Sequence, residues 1–195
     1  MADIDDLTRD ELIELNLSDF SSTSIDVDGI QPNAIDFRGG SLRGNDRTEP
    51  NLYVIDPSSG DASVPSNDIG ESISAIVSDG GLLWCVSRVD RQIYLYNYVL
   101  DISIQSIPYG NVGTAGGTYV DGSLFLIAAG VVTEFEVTMV GFSRQIEAVG
   151  AFQLPGYDIV GIAHDGDDFW VNAREIGVSG MKIRRIRPRV AREGC

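Results

Sequence analysis

The chain has 195 residues, 43% of them hydrophobic, and a formal net charge of −15. Its length suits one domain or two small ones, and so large an excess of acids argues against general nucleic-acid binding. The 22 glycines and the scarcity of helix-forming runs predict many short strands and turns. Two cysteines, Cys85 and Cys195, form neither a disulfide framework nor a metal-binding pattern.

Residues 1–20 differ from the rest and predict an N-terminal arm with one short helix. Thr8 and Glu11 have the spacing of a capping box, and apolar Leu12, Ile13 and Leu15 follow. We therefore expect a two-turn helix over residues 9–16. Because so short a helix is marginal in water, these three apolar side chains are predicted to dock on their own domain or on a neighbouring subunit.

From about residue 21 onward the sequence repeats. An Asp-Gly pair marks each of three units, beginning at Asp79, Asp121 and Asp165, with spacings of 42 and 44 residues. Four positions before each aspartate lies a small residue, and four and five positions after it lies a bulky apolar pair. The small residues are Ala75, Gly117 and Gly161, and the pairs are Leu83-Trp84, Phe125-Leu126 and Phe169-Trp170. A more divergent unit precedes these three, with its turn at residues 38–40.

Four-stranded units of about 40 residues are typical of β-propeller blades. The small residue suits the innermost strand, where blades crowd the axis, and the bulky pair suits the second strand. The sequence therefore predicts an all-β fold, a small propeller of four blades over residues 21–187, followed by a basic tail at 188–195. The last blade lacks an outer strand, and residues 21–27 are predicted to supply it and close the ring. The alternative is an open ring that another subunit completes.

The amino-acid sequence of the repeats resembles that of a known group of propeller proteins. IQPNAIDF at residues 30–37 is similar to the opening of propeller repeats in phage tail-fibre and other virion proteins. IYLY at 93–96 and LDIS at 100–103 resemble the close of the same repeats. The resemblance implies a non-enzymatic virion component, on the tail or decorating the head, used for particle assembly or host attachment. It implies no site residue and no cofactor.

Two polar features of the sequence could take part in metal binding or catalysis. Asp165, Asp167 and Asp168 offer the oxygen ligands that Ca²⁺ favours, but they lack the spacing of a Ca²⁺ loop, so a hairpin turn is predicted. His164 is the only histidine and has no nucleophile signature near it, so no catalytic residue is predicted. A further alternative is a propeller enzyme with its site at the channel mouth, around His164 and the Asp-rich turn at Asp165.

Three tyrosines outside the predicted strand cores are candidates for ligand contact, and the ligand considered is a host-surface glycan. They are Tyr98, Tyr109 and Tyr157. A free-standing carbohydrate-binding module is therefore the alternative function.

The two ends carry opposite charge. Residues 1–30 hold nine acids against Arg9, and residues 182–195 hold six bases against Glu193. The two ends are expected to be solvated, or to contact each other, or each to dock on a partner. Where the basic end docks, its partner is predicted to be protein and not nucleic acid, with Arg184, Arg185, Arg187 and Arg189 as the contact candidates. The expected partners are other virion or structural subunits, in a homo- or hetero-oligomer.

The expected location is the virion. The opening MADIDDL has neither the basic nor the apolar region of a signal peptide, and the apolar stretch at 124–132 is too short for a bilayer span. No membrane insertion is therefore expected.

Overall fold

The computed structural model describes residues 11–16, 18–19, 21–27, 30–38, 41–46, 49, 51–66, 73–110 and 113–186. Over these ranges the chain forms strands joined by turns and has no helix, hence none that could cross a membrane.

Four antiparallel sheets follow one another around a common axis as the four blades of a β-propeller, which confirms the predicted fold. Blade one contains β3 (Pro32–Arg38), β4 (Ser41–Asp46), β5 (Leu52–Ile55) and β6 (Ala62–Ser66). Blade two contains β7 (Ile73–Ser78), β8 (Leu83–Ser87), β9 (Gln92–Asn97) and β10 (Ile102–Pro108). Blade three contains β11 (Thr114–Val120), β12 (Ser123–Ala128), β13 (Val131–Val140) and β14 (Ser143–Phe152). Blade four contains β15 (Tyr157–His164), β16 (Phe169–Glu175) and β17 (Met181–Ile186).

Each innermost strand carries a β-bulge directly before a small residue. These residues are Ala34, Ala75, Gly116 and Gly161. In blade three the residue after the bulge is Gly116, whereas the spacing of the sequence repeat points to Gly117. The two differ because the turns that follow have different lengths. Asp121-Gly122 is a two-residue turn with φ of 50° and 86°, whereas four residues separate the paired Ser78 and Leu83.

Side chains of successive residues face alternate neighbours, so each strand contributes to two inter-blade cores. In β8, Leu83 and Cys85 pack towards blade one, whereas Trp84 and Val86 pack towards blade three. In blade three, Phe125 packs towards blade four and Leu126 towards blade two. The equivalent of Trp84 is therefore Phe125, one position earlier than the sequence repeat suggested.

The N-terminal segment differs from its prediction. β1 (Glu11–Leu15) and β2 (Ser22–Asp26) pair as an antiparallel hairpin, so the helix expected over residues 9–16 is wrong. Residues 11–15 pair in register with Ser22–Asp26, whereas an isolated two-turn helix is costly to nucleate and leaves its first four N–H and last four C=O groups without helical partners. Thr8 lies outside the described residues.

The same pairing corrects the predicted closing strand. Ser22–Asp26 pairs with β1, and in the described chain β17 is the outer edge of a three-stranded sheet. The segment after β2 instead covers the outer part of blade one, where Val27 and Ile30 pack on Tyr53 and Ile55. Gly60 permits this approach, because at its φ of 81° a Cβ atom would lie 1.9 Å from the Asp26 carbonyl oxygen.

One pair of neighbouring blades, four and one, does not pack together over the described residues, and we call the gap between them the seam. The innermost strands pack in the order β3 on β7, β7 on β11 and β11 on β15. Between β15 and β3, both described over their full lengths, there is no comparable packing. Blade four therefore has one face without a neighbouring blade, and so does blade one.

Candidate interaction surfaces

The junction between blades two and three shows how two blades recognise each other. Asp79 accepts hydrogen bonds from the backbone N–H groups of Gly81 and Leu82, both at 2.8 Å, and from Trp84 Nε1 at 3.0 Å. Arg144 of blade three forms an ion pair with the same carboxylate, whose side chain is 3% exposed. The Trp84 ring stacks on Tyr119 of blade three, with centroids 6.3 Å apart. The junction thus combines a buried ion pair with an aromatic stack.

Blade four repeats one half of that junction. Asp165 accepts from the N–H groups of Asp167 and Asp168, at 2.9 and 2.8 Å, and from Trp170 Nε1 at 2.7 Å. These bonds lower the pKa of Asp165, with the backbone donor at Asp168 contributing most. Here, however, the tryptophan faces the seam and is only half-buried. We call this surface the blade-four face, and it comprises Ala163, Trp170, Asn172, Arg174, Met181, Ile183 and Arg185.

Blade one contributes the opposite side of the seam. Ile35 pairs across the sheet with Gly44 and Phe37 with Leu42, which places both on the face that Ile55 shares. Ile35 is 48% exposed and Phe37 is 62% exposed, although the equivalent of Ile35 in blade two, Ile76, is 3% exposed. We call Ile35, Phe37 and Leu42 the blade-one face.

A further apolar surface lies at the tip of the β13–β14 hairpin. β12 pairs with β13 only as far as Glu136, so the hairpin continues as a two-stranded extension. Blade two holds this extension, because the Gln105 amide accepts from Arg144 N at 2.9 Å and donates to Arg144 O at 2.6 Å. At its end Met139, Val140 and Phe142 are exposed. We call these three residues the hairpin tip.

Asp165, Asp168 and His164, the candidates for metal binding and catalysis, make contacts within blade four. Asp165 Oδ1 accepts from the backbone N–H of Asp168, Asp165 Oδ2 accepts from Trp170 Nε1 on β16, and Asp168 Oδ2 lies 3.6 Å from Arg185 Nη1. Within the described ranges no group of three His, Cys, Asp or Glu could hold a metal ion. His164 Nδ1 accepts from the Gly166 N–H, and its ring lies edge-on to Phe169.

The three candidate tyrosines have different environments. Tyr109 is 4% exposed and packs edge-on against Phe135, so its ring belongs to the core and the prediction of ligand contact is corrected. Tyr98 is half-buried beneath the Arg43 guanidinium, 4.2 Å from the ring centroid. Tyr157 lies under the Arg184 guanidinium, also at 4.2 Å, and accepts a hydrogen bond from it. Cations thus already cover one face of both remaining rings.

The predicted docking residues within the described part of the chain lie on the N-terminal hairpin and on the edge strand of blade four. Leu12, Ile13 and Leu15 lie on β1 of the hairpin, and Arg184 and Arg185 lie on the edge strand β17. Arg187 and Arg189 lie outside the described residues. The sequence did not identify the seam faces or the hairpin tip. The one available signal was an apolar turn, MVGF at residues 139–142, where polar residues are usual.

Comparisons with known proteins support the fold alone. No protein-family model and no curated protein matches the chain. Among solved structures, glutaminyl cyclase of Myxococcus xanthus is 16% identical with a TM-score of 0.59, over 74% of this chain and 65% of that chain. Hydrazine synthase of Kuenenia stuttgartiensis is 14% identical with a TM-score of 0.53, over 80% of this chain and 45% of that chain. The computationally designed Ika4 protein is 11% identical with a TM-score of 0.51, over 84% of this chain and 97% of that chain.

The chain therefore spans just under two thirds of the cyclase and under half of the synthase. At such low identity these likenesses show a β-propeller and do not extend to the activity of either enzyme.

Proposed function

We propose that the protein is a non-enzymatic propeller that binds other proteins as a structural subunit, and that its setting is a phage virion, on the tail or decorating the head. The observation that carries the proposal is the hairpin tip. Three exposed apolar side chains end a two-stranded extension that is anchored on blade two through Gln105 and Arg144. Exposed apolar groups on a pre-organised element are typical of protein-binding sites.

The proposed virion setting is supported by the amino-acid sequence of the repeats. The segment that resembles virion propeller repeats enters blade one and ties it to blade two. Its Gln31 N–H donates to Asp46 at 2.7 Å, and its Asn33 Nδ2 donates to the Ile73 carbonyl at 2.6 Å. The second segment forms β9 and the start of β10. The resemblance thus rests on residues that build blades in this chain.

The non-enzymatic part is supported by how the polar side chains are used. Asp79 and Asp165 each accept three bonds that shape a turn, and Asp79 also joins two blades. Groups engaged in this way hold the scaffold and have few acceptor positions left for a substrate. The oppositely charged ends, residues 1–10 and 187–195, are proposed to help attach the protein to the particle.

Loss of binding by a tip variant tests the proposal. Phage particles made without this protein are mixed with purified wild type, Phe142→Glu or Val89→Glu, and bound protein is measured after sedimentation of the particles. Val89 is the matched control, since it is an exposed apolar residue in a turn of blade two, away from the tip. We expect wild type and Val89→Glu to bind and Phe142→Glu to lose at least tenfold in affinity, a typical effect of removing a central apolar anchor.

Two results would reject the proposal. If wild type does not bind the particles, the virion setting is wrong. If Phe142→Glu binds as well as wild type, the tip is not the docking surface. Circular dichroism of all three proteins checks that the substitutions leave the fold intact.

A further inference from the structure

The two faces at the seam are the two halves of one blade junction. At the junction between blades two and three, Trp84 comes from the second strand of one blade, and Tyr119 comes from the innermost strand of the next. Each seam face holds an aromatic residue at one of these positions, and among the described residues no aromatic ring of a neighbouring blade packs on it. The Arg185 guanidinium of the same blade lies 6.0 Å from the Trp170 ring centroid.

The strand registers establish the equivalence. Trp84 pairs with Val77, two residues after the small residue Ala75, and Trp170 pairs with Ala163, two residues after Gly161. Trp170 of blade four is therefore structurally equivalent to Trp84 of blade two. Both indole N–H groups also donate a hydrogen bond to an aspartate.

The same comparison of registers shows that Phe37 is equivalent to Tyr119, the ring that packs on Trp84. Tyr119 is the third residue after Gly116, and Phe37 is the third residue after Ala34. Tyr119 pairs with Leu124 and Phe37 pairs with Leu42, so both point towards the preceding blade. A blade that packed on the blade-four face as blade three packs on blade two would bring its Phe37 onto Trp170.

We propose that a second copy of this chain supplies that blade, so that two chains join head to tail. The blade-four face of each copy packs on the blade-one face of the other. A twofold rotation makes the Trp170–Phe37 contact twice and leaves no uncovered face. Two copies of four blades give a closed ring of eight.

Charge favours this arrangement over head-to-head pairing. The hairpin beside blade one carries four acids, Glu11, Glu14, Asp19 and Asp26. On the blade-four face Arg185 pairs across the sheet with Trp170, and Arg174 lies further along the same strand as Trp170. Lys182 and Arg184 pair with the buried Ala173 and Val171 and therefore lie on the opposite face, towards blade three. Joining unlike ends brings acid towards base, whereas joining like ends repels.

The covering of blade one also agrees with this partner. Val27 and Ile30 bury only its outer part, on β5, and leave Ile35 and Phe37 on the innermost strand exposed. In the junctions within the chain, that inner part is where one blade meets the next. The inference goes beyond the proposed function, because it concerns a different surface and a different partner.

Sedimentation velocity over a range of protein concentrations tests the contact. We expect wild type to form dimers, Phe37→Glu to weaken dimerisation by at least tenfold, and Val89→Glu to dimerise as wild type. Phe37 and Val89 are both 62% exposed, so neither substitution empties the core. Wild type that is monomeric throughout, or Phe37→Glu that dimerises equally well, overturns the inference. If Phe37→Glu does not fold, Ile35→Glu replaces it.

Crosslinking separates a second copy from closure within one chain. Phe37→Cys and Ala163→Cys, each with Cys195→Ser, are prepared separately, mixed and treated with a short bismaleimide. A crosslinked species of twice the chain mass, formed in the mixture and in neither variant alone, supports the second copy. Its absence at protein concentrations where the mixture sediments as a dimer overturns the inference. So does efficient crosslinking within one monomeric chain that carries both Phe37→Cys and Ala163→Cys. These assays contain no phage particle, so their outcome is independent of the test of the proposed function.

Discussion

Replacing Asp79 with alanine removes the group that joins a turn of blade two to blade three. The carboxylate accepts from two backbone N–H groups and the Trp84 indole, and it pairs with Arg144. Gly81 is exposed and Leu82 is half-buried, so water can replace the carboxylate at these two donors. Trp84 is fully buried, and its indole N–H has no other acceptor within the described contacts.

The magnitude follows from those two groups. A buried donor left without its partner costs about 1–3 kcal/mol. Breaking a buried ion pair costs about 3–5 kcal/mol, a figure that is reduced here because the Arg144 side chain is 23% exposed and can turn to water. We therefore expect Asp79→Ala to lower the free energy of unfolding by about 3–4 kcal/mol.

Urea unfolding at neutral pH, followed by tryptophan fluorescence, measures the loss. Asp165→Ala is the matched control, because Asp165 accepts the same three kinds of bond but lies at an exposed turn. We expect this control to lose clearly less stability than Asp79→Ala. Equal losses in the two variants would show that the contact between blades two and three contributes nothing, and would refute the reasoning.

The same pair of proteins tests a pH dependence. Burial raises the pKa of Asp79, but the hydrogen bonds from Gly81, Leu82 and Trp84 and the charge of Arg144 together hold it below its usual 3.8. A carboxyl with a depressed folded pKa stabilises the protein above its unfolded pKa, and that contribution is lost as the pH falls through the folded pKa. The stability gap between wild type and Asp79→Ala should therefore narrow below about pH 4, and a gap that widens there would contradict the assignment.

Two further substitutions probe the packing between blades. A Cβ atom on Gly117 would lie 2.7 Å from both Leu126 Cδ2 and the Phe125 carbonyl oxygen, whereas one on Gly116 would meet nothing closer than 3.8 Å. Gly117→Ala should thus cost about 1–3 kcal/mol in urea unfolding and Gly116→Ala should be close to neutral, and the reverse order would disprove the placement of β11. Burial, with a smaller contribution from the Asp36 charge, raises the pKa of Cys85 to about 12. In a Cys195→Ser background, the Cys85 thiol should react with an aromatic disulfide reagent only as fast as the protein unfolds, and rapid reaction of the native protein would contradict its burial.

The blades could be predicted because each carries its own local signal. Asp79 and Asp165 begin turns whose shape needs an Asx acceptor, and the apolar residues that follow alternate with the period of a strand. Repetition of one unit then identified the fold. The error at Gly117 arose because the turn at Asp121 is two residues shorter, and sequence spacing does not report turn length.

The N-terminal segment and the seam could not be predicted in this way. Residues 11–15 have helix-compatible residues, and only pairing with Ser22–Asp26 makes them a strand. Whether a blade face meets a neighbour depends on how the whole ring is arranged, so Trp84 and Trp170 have the same local sequence setting and different exposure. Tyr109 was misassigned for the same reason, because a residue just beyond β10 can still pack into the core.

Electron microscopy of the purified full-length protein tests the central claim most directly, because a view down the propeller axis shows the number of blades in the closed ring. The seam, with Trp170 on one side and Phe37 on the other, predicts a twofold-symmetric ring of eight blades from two chains. A closed ring of four blades, with Phe37 packed on Trp170 of the same chain, would contradict it.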